Sequence, residues 1–169
     1  MFDDLLGANR RYRTEFHDSG VEGTAAKGLA VLTCIDSRID PLALLGLQAG
    51  DAKIIRNAGA RATGDALRSL VLAANLLGVT RVALVQHTDC AVVGVTDEAL
   101  RAEIAAMRGV DASDWDFLST TDQLATLRED LILIESCPLL PAELHAGGFI
   151  FDVHSGELIQ VPQQCRHSE

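Results

Sequence analysis

Two continuous apolar runs limit what this chain can become more than any other feature. Residues 29–35, Leu-Ala-Val-Leu-Thr-Cys-Ile, and residues 79–86, centred on Val82, Ala83, Leu84 and Val85, are of strand length and lack polar alternation. Runs of this kind suit strands buried on both faces, as in the middle of a parallel sheet covered by helices. A third run, residues 52–56, ends in Asn57-Ala58-Gly59 and reads as another strand followed by a turn. Between it and the second apolar run, Leu67, Leu70, Val71, Ala74 and Leu77 share one helical face behind a capping Thr63 or Asp65, and Gly78 ends the pattern.

Strands alternating with helices predict an α/β fold: a single domain over residues 1–169 with a mainly parallel central sheet flanked by helices. Pro41 opens a short helical turn, and residues 96–107 and 122–135 read as two further helices. Residues 149–153 and 157–161 flank His154-Ser155-Gly156 as a hairpin that adds an antiparallel strand. At the start, Leu5, Leu6, Tyr12 and Phe16 fall near a helical period and give an amphipathic helix within residues 1–20. With 48% hydrophobic and 22% charged residues, 169 residues suffice for one core without disulfides.

Charge and composition narrow the partners. Lysine and arginine number 14 against 24 acidic residues, a formal charge of −10, and aromatic residues are only 4%, so nucleic acid is not an expected partner. No apolar stretch of about 18 residues is present to span a membrane, and the start Met-Phe-Asp-Asp is acidic where a signal peptide is basic. A cytoplasmic protein with free thiols is expected. Cys137 and Cys165 lack partners at ligand spacing and read as a packed and an exposed thiol.

Sheets of this type collect ligands at the carboxyl ends of their strands. Cys34, Asp36, Asn57, Gly59, His87 and Cys90 all fall at such ends or just beyond. Two thiolates and an imidazole suit a borderline-soft, tetrahedral ion such as Zn²⁺, and three protein ligands leave a fourth position open for catalysis. A His-x-x-Cys fragment alone often means nothing, and a structural zinc site is the stronger bland reading. Arg38 near Cys34 also fits a cation-activated thiol, although a Cys-x5-Arg phosphate loop is absent because position 40 is Asp40. His17, His145, His154 and His167 read as surface or locally bonded residues, and none is assigned a proton-transfer role.

The segments Cys34-Ile35-Asp36-Ser37-Arg38, Arg56-Asn57-Ala58-Gly59, Ala66-Leu67-Arg68-Ser69-Leu70 and His87-Thr88-Asp89-Cys90, in that order, resemble the beta-class carbonic anhydrases. The compact length is similar to that of the shorter bacterial members. The resemblance implies one Zn²⁺ per chain on Cys34, His87 and Cys90, with Asp36 and Arg38 as a catalytic dyad beside it. It implies a carbonate dehydratase, hydrating carbon dioxide reversibly to bicarbonate by attack of zinc-bound hydroxide. Members in which the carboxylate closes onto zinc make Asp36 a fourth ligand in a closed state. Asn57 and Gly59 then border the pocket, and the N-terminal helix crosses onto a partner in a homodimer or larger homo-oligomer.

Two departures stand out. Ala60 and Ala91 occupy positions where the family commonly has glycine, so a Cβ narrows backbone freedom and fills space beside the pocket. Similar enzymes with the same ligands hydrolyse carbonyl sulfide or carbon disulfide, so the substrate class is a small neutral gas and these two are alternatives to carbon dioxide. A zinc-binding homolog without turnover is a further alternative. The presence of Asp36 and Arg38 argues against it, because neither is needed to hold the metal.

Overall fold

A computed structural model of the protein describes residues 1–162; Cys165 and His167 lie outside the described residues. Helix α1 (Asp3–Glu15) precedes strand β1 (Leu29–Cys34), the short helix α2 (Pro41–Leu44) and strand β2 (Ala52–Asn57). A single 3-10 turn over Ala58–Ala60 leads to α3 (Gly64–Leu76) and β3 (Arg81–His87). Helices α4 (Asp97–Arg108) and α5 (Gln123–Glu135) follow, then β4 (His145–Phe151) and β5 (Leu158–Val161). No described helix is long and apolar enough to cross a membrane.

The sheet order is β2-β1-β3-β4-β5, with β5 antiparallel on β4 and every other pairing parallel. All six residues of β1 are buried, as are the last six of β3, which accounts for their unbroken apolar character. Register places Cys34 opposite Asn57 and Val85 opposite Thr33, so the carboxyl ends of β2, β1 and β3 finish at one edge. Thr63, Thr96 and Asp122 accept hydrogen bonds from the backbone amides of Ala66, Ala99 and Ala125, capping α3, α4 and α5.

One face of the sheet carries the main core. Leu32 and Leu84 pack there with Leu70 of α3 and with Leu127 and Ile134 of α5. The buried line of α3 is Ala66, Leu70 and Ala73, one position round from the expected stripe, whose Leu67, Val71, Ala74 and Leu77 are half-buried flanks. Small residues at the centre of the contact let the helix axis lie close to the sheet, and the larger side chains then wedge in on either side. Gly148 of β4 serves the same purpose under α5, since a Cβ there would collide with Leu127 and Leu131.

The other face is different. Leu29, Val31, Ala83 and Val85 are covered mainly by the segment around Leu44, Leu45 and Leu47, beside an open groove of about 560 Å³. Helix α1 buries none of its residues, and Phe2, Leu5, Leu6, Tyr12 and Phe16 are all exposed.

Candidate metal centre

Three strand ends bring the candidate ligands together. Cys34 is the last residue of β1 and His87 the last of β3, while a turn through Asp89, at φ +58°, returns the chain so that Cys90 faces both. The ligand atoms of Cys34, His87 and Cys90 lie within 4.8 Å of one another, and all three side chains are buried. The two sulfurs are 4.0 Å apart. Tetrahedral zinc with bonds of about 2.3 Å to both would set an edge of roughly 3.8 Å.

The imidazole is the sharpest test of metal fit. Its Nδ1 lies 2.8 Å from the carbonyl of Thr88, which only accepts, so Nδ1 carries the proton and Nε2 presents a lone pair. That Nε2 is buried without a hydrogen-bond partner. An unsatisfied buried polar atom costs about 1–3 kcal/mol, and a cation seated between it and the two sulfurs removes the penalty. Gln123 Nε2 holds the same residue from behind by donating to the His87 carbonyl at 2.9 Å.

The sulfurs are electrostatically unequal. A hydrogen bond from the Cys90 thiol, assisted by the amides of Asp36 and Gly59, outweighs burial and lowers the Cys34 thiol. Cys90 is pushed up by that same bond to Cys34 and by burial. Thus the pair carries one ready thiolate, and a bound dication favours loss of the second proton. The Gly59 amide donates to Cys34 Sγ at 3.4 Å. Gly59 has φ +76° and a Cβ there would meet Val92 Cγ2 at 2.8 Å, so glycine is required on both counts.

Beside the sulfurs, Asp36 and Arg38 form a fork-on-fork pair. Arg38 Nη2 donates to Asp36 Oδ2 at 2.7 Å, Nε to Oδ1 at 3.0 Å, and the Arg38 backbone amide to Oδ1 at 2.9 Å. These bonds hold the Asp36 carboxyl well below the usual carboxylate range, so it is ionised at any pH where the fold is relevant. Asp36 Oδ2 also lies 3.9 Å from His87 Nε2, facing the space between the candidate ligands.

The remaining predicted site residues lie close by but differ in kind. Asn57 clamps the turn behind Cys34: its Nδ2 donates to the Arg61 carbonyl and its Oδ1 accepts from the Arg61 amide, both at 2.7 Å. Ala60 is 0% exposed with φ +56°, a left-handed conformation that its Cβ disfavours. Ala91 is exposed and outside the left-handed region. Of the two alanines, Ala60 alone occupies a backbone conformation that favours glycine. Ala60→Gly is expected to stabilise the protein by about 0.5–1 kcal/mol, a rise of about 1–4 °C in Tm; an unchanged or lower Tm would contradict strain at this position.

Three supporting residues have no role assigned from the sequence, although Arg56 and Asp89 lie in segments that carry the family resemblance. Arg56 Nε, Nη1 and Nη2 donate to the carbonyls of Cys34, Ile39 and Asp36 at 2.8, 3.2 and 2.7 Å, shaping the loop that carries the dyad. Asp89 accepts from Arg38 Nη1 at 3.0 Å and its carbonyl accepts from Nη2 at 2.9 Å, tying the dyad to the Cys90 turn. Gln123 is the third. A charged Arg56 at the end of an otherwise apolar strand was the available clue.

The carbonic anhydrase family profile matches residues 29–115, and the chain belongs to that family. It is 34% identical to beta-carbonic anhydrase 1 of Mycobacterium tuberculosis, over 94% of this chain and 96% of that protein. The crystal structure of a carbonic anhydrase from Streptococcus mutans superposes with a TM-score of 0.89 at 36% identity, covering 95% of this chain and 97% of the other. A carbon disulfide hydrolase of an Acidianus strain is 29% identical over 83% of this chain and 80% of its own length.

Proposed function

We propose that the protein is a zinc-dependent carbonic anhydrase that interconverts carbon dioxide and bicarbonate, with Cys34, His87 and Cys90 holding one zinc ion per chain. The observation that carries this reading is the orphaned Nε2 of buried His87, aimed between two sulfurs 4.0 Å apart. When bound, zinc supplies the Lewis acidity that turns water into a nucleophile near neutral pH.

The chain's own residues supply the rest. Asp36, kept anionic by Arg38, presents Oδ2 as a hydrogen-bond acceptor that orients water in the site. Arg38 fixes that oxygen in place by gripping both carboxylate oxygens and Asp89. Released from Arg38, the same Asp36 oxygen, 3.9 Å from His87 Nε2, would be a fourth candidate ligand in a shut state of the site. Asn57, Gly59 and Ala60 form the turn behind Cys34, and Ala91 follows Cys90 at the surface.

The two thiolates bring negative charge that weakens the acidifying power of the metal relative to three neutral imidazoles. Turnover is therefore expected to rise from neutral into alkaline pH. The test of function is metal analysis together with turnover of carbon dioxide, carbonyl sulfide and carbon disulfide by one preparation across pH. Stoichiometric zinc with carbon dioxide preferred supports the reading; absence of zinc, or maximal activity well below neutral pH, overturns it. The likeness to a carbon disulfide hydrolase makes that gas the second reading, and the same assay decides between them.

The reading includes a homodimer built through α1. An apolar groove lined by Leu29, Leu47, Ala83, Phe149 and Leu158, with Lys27 and Arg81 at its rim, faces outward. Helix α1 presents exposed Leu5, Leu6 and Tyr12, with Phe16 just after it, an apolar surface that matches the groove. Removing residues 1–20 is expected to halve the mass measured by light scattering at micromolar concentration, and an unchanged mass would count against the crossing helix. A cytoplasmic location belongs to the same reading: Cys34, Cys90 and Cys137 are free thiols, and a reducing compartment keeps them so.

A further inference from the structure

Arg61 and Asp130 form a buried ion pair that the chemistry above does not use. Asp130, in the middle of α5, is 1% exposed. Arg61 Nε donates to its Oδ2 at 2.7 Å and Nη2 to its Oδ1 at 3.4 Å, while Nη1 donates to the Leu118 carbonyl at 2.6 Å. Such a pair is a weak source of stability, because desolvation takes back most of the Coulomb attraction and an apolar pair of similar volume often does as well. What distinguishes this one is the set of segments it joins.

Arg61 closes the turn in which Asn57 grips both backbone groups of Arg61. Inside that turn Gly59 and Ala60 are consecutive left-handed residues, at φ +76° and +56°. A backbone of this kind persists only when its surroundings over-determine it. Its result is the Gly59 amide directed at Cys34 Sγ. On the other side, Leu118 is itself left-handed at φ +54° and leads into Thr120. The Thr120 amide donates to the Val92 carbonyl at 2.9 Å, and the Gly94 amide to the Thr120 carbonyl at 2.7 Å, in the segment directly after Cys90. Val92 in turn packs against Gly59.

We propose that the Arg61–Asp130 pair is a positioning device for the two cysteines: it locks the Gly59–Ala60 turn onto Cys34 and, through Leu118, the segment behind Cys90. One guanidinium thereby sets the separation at which both sulfurs meet a metal ion. This rests on the reading of Cys34 and Cys90 as ligands, and zinc and cobalt binding by the unmodified protein tests that reading separately.

The decisive variants are Arg61→Met combined with Asp130→Leu, which removes both charges at similar volume, and Arg61→Lys, which keeps the charge but loses the fork. Thermal unfolding of the metal-free proteins, zinc affinity by chelator competition, and the visible and near-ultraviolet spectrum of the cobalt-loaded proteins are measured together. The expected result is an almost unchanged metal-free Tm in the double variant, zinc affinity lowered about 10–100-fold, and displaced thiolate-to-cobalt absorption, with Arg61→Lys between it and the unmodified protein. Unmodified zinc affinity and spectrum in the variants overturn the proposal, as does a loss confined to metal-free stability. If the double variant does not fold, Arg61→Lys decides on the same criteria. If the unmodified protein binds neither metal, the ligand reading fails instead.

Discussion

Replacing His87 with Ala is expected to yield a folded protein that retains no stoichiometric zinc after dialysis against a mild chelator and turns over no substrate. The imidazole is 1% exposed and is the only nitrogen among the candidate ligand atoms, so the variant leaves two sulfurs and no third group on β3. Structural zinc sites with four ligands bind with about 10–16 kcal/mol, so one ligand is worth about 3 kcal/mol, and its loss weakens binding by about 100-fold or more. The fold should survive, because the core of Leu32, Leu70, Leu84, Leu127 and Ile134 lies elsewhere and the substitution also removes the unsatisfied Nε2. Metal analysis with circular dichroism checks both halves. Full zinc occupancy in the variant would show that the metal, if any, sits elsewhere.

Asp36→Asn separates binding from turnover. The substitution keeps shape and leaves Cys34, His87 and Cys90 in place, so zinc is expected to remain at one per chain. Yet kcat/KM is expected to fall by about 10²–10³-fold, the scale for losing one preorganised charged hydrogen-bonding group at a reacting centre. An amide offers one accepting oxygen instead of two and carries no charge for Arg38 to grip, so the doubly bonded pair at 2.7 and 3.0 Å is lost. Because Arg38 holds the native Asp36 below the usual carboxylate range, its protonation does not generate the predicted rise of activity toward alkaline pH. The shape of any residual pH profile should therefore resemble that of the unmodified protein at a lower level. Unchanged turnover with zinc bound would remove Asp36 from the mechanism.

The outline of the fold was legible because its signals are local. The apolar run is buried on both faces over residues 29–34, with Ile35 exposed just beyond the strand, and Thr63, Thr96 and Asp122 stand where helix caps belong. Cysteine and histidine at strand ends mark a candidate soft-ligand site in the same way. The interior line of α3 was misplaced by one position because periodicity identifies large apolar residues. Close approach to a sheet instead favours the small Ala66 and Ala73.

The sequence by itself determined the α/β architecture and the order of its elements, and it marked three candidate soft ligands, since each follows from side-chain type and position along the strands. Only the tertiary structure decided what depends on groups brought from afar. The proton on Nδ1 of His87 is set by the Thr88 carbonyl, and Arg38 is shared between Asp36 and Asp89. Ala60 is forced into left-handed backbone, and Arg61 reaches Asp130 across 69 residues. Those features are hydrogen bonds and strains between segments, and no pattern in one segment records the partner that another supplies. The cysteines at the ends of the apolar runs were therefore visible at once, while the framework that sets their spacing was not.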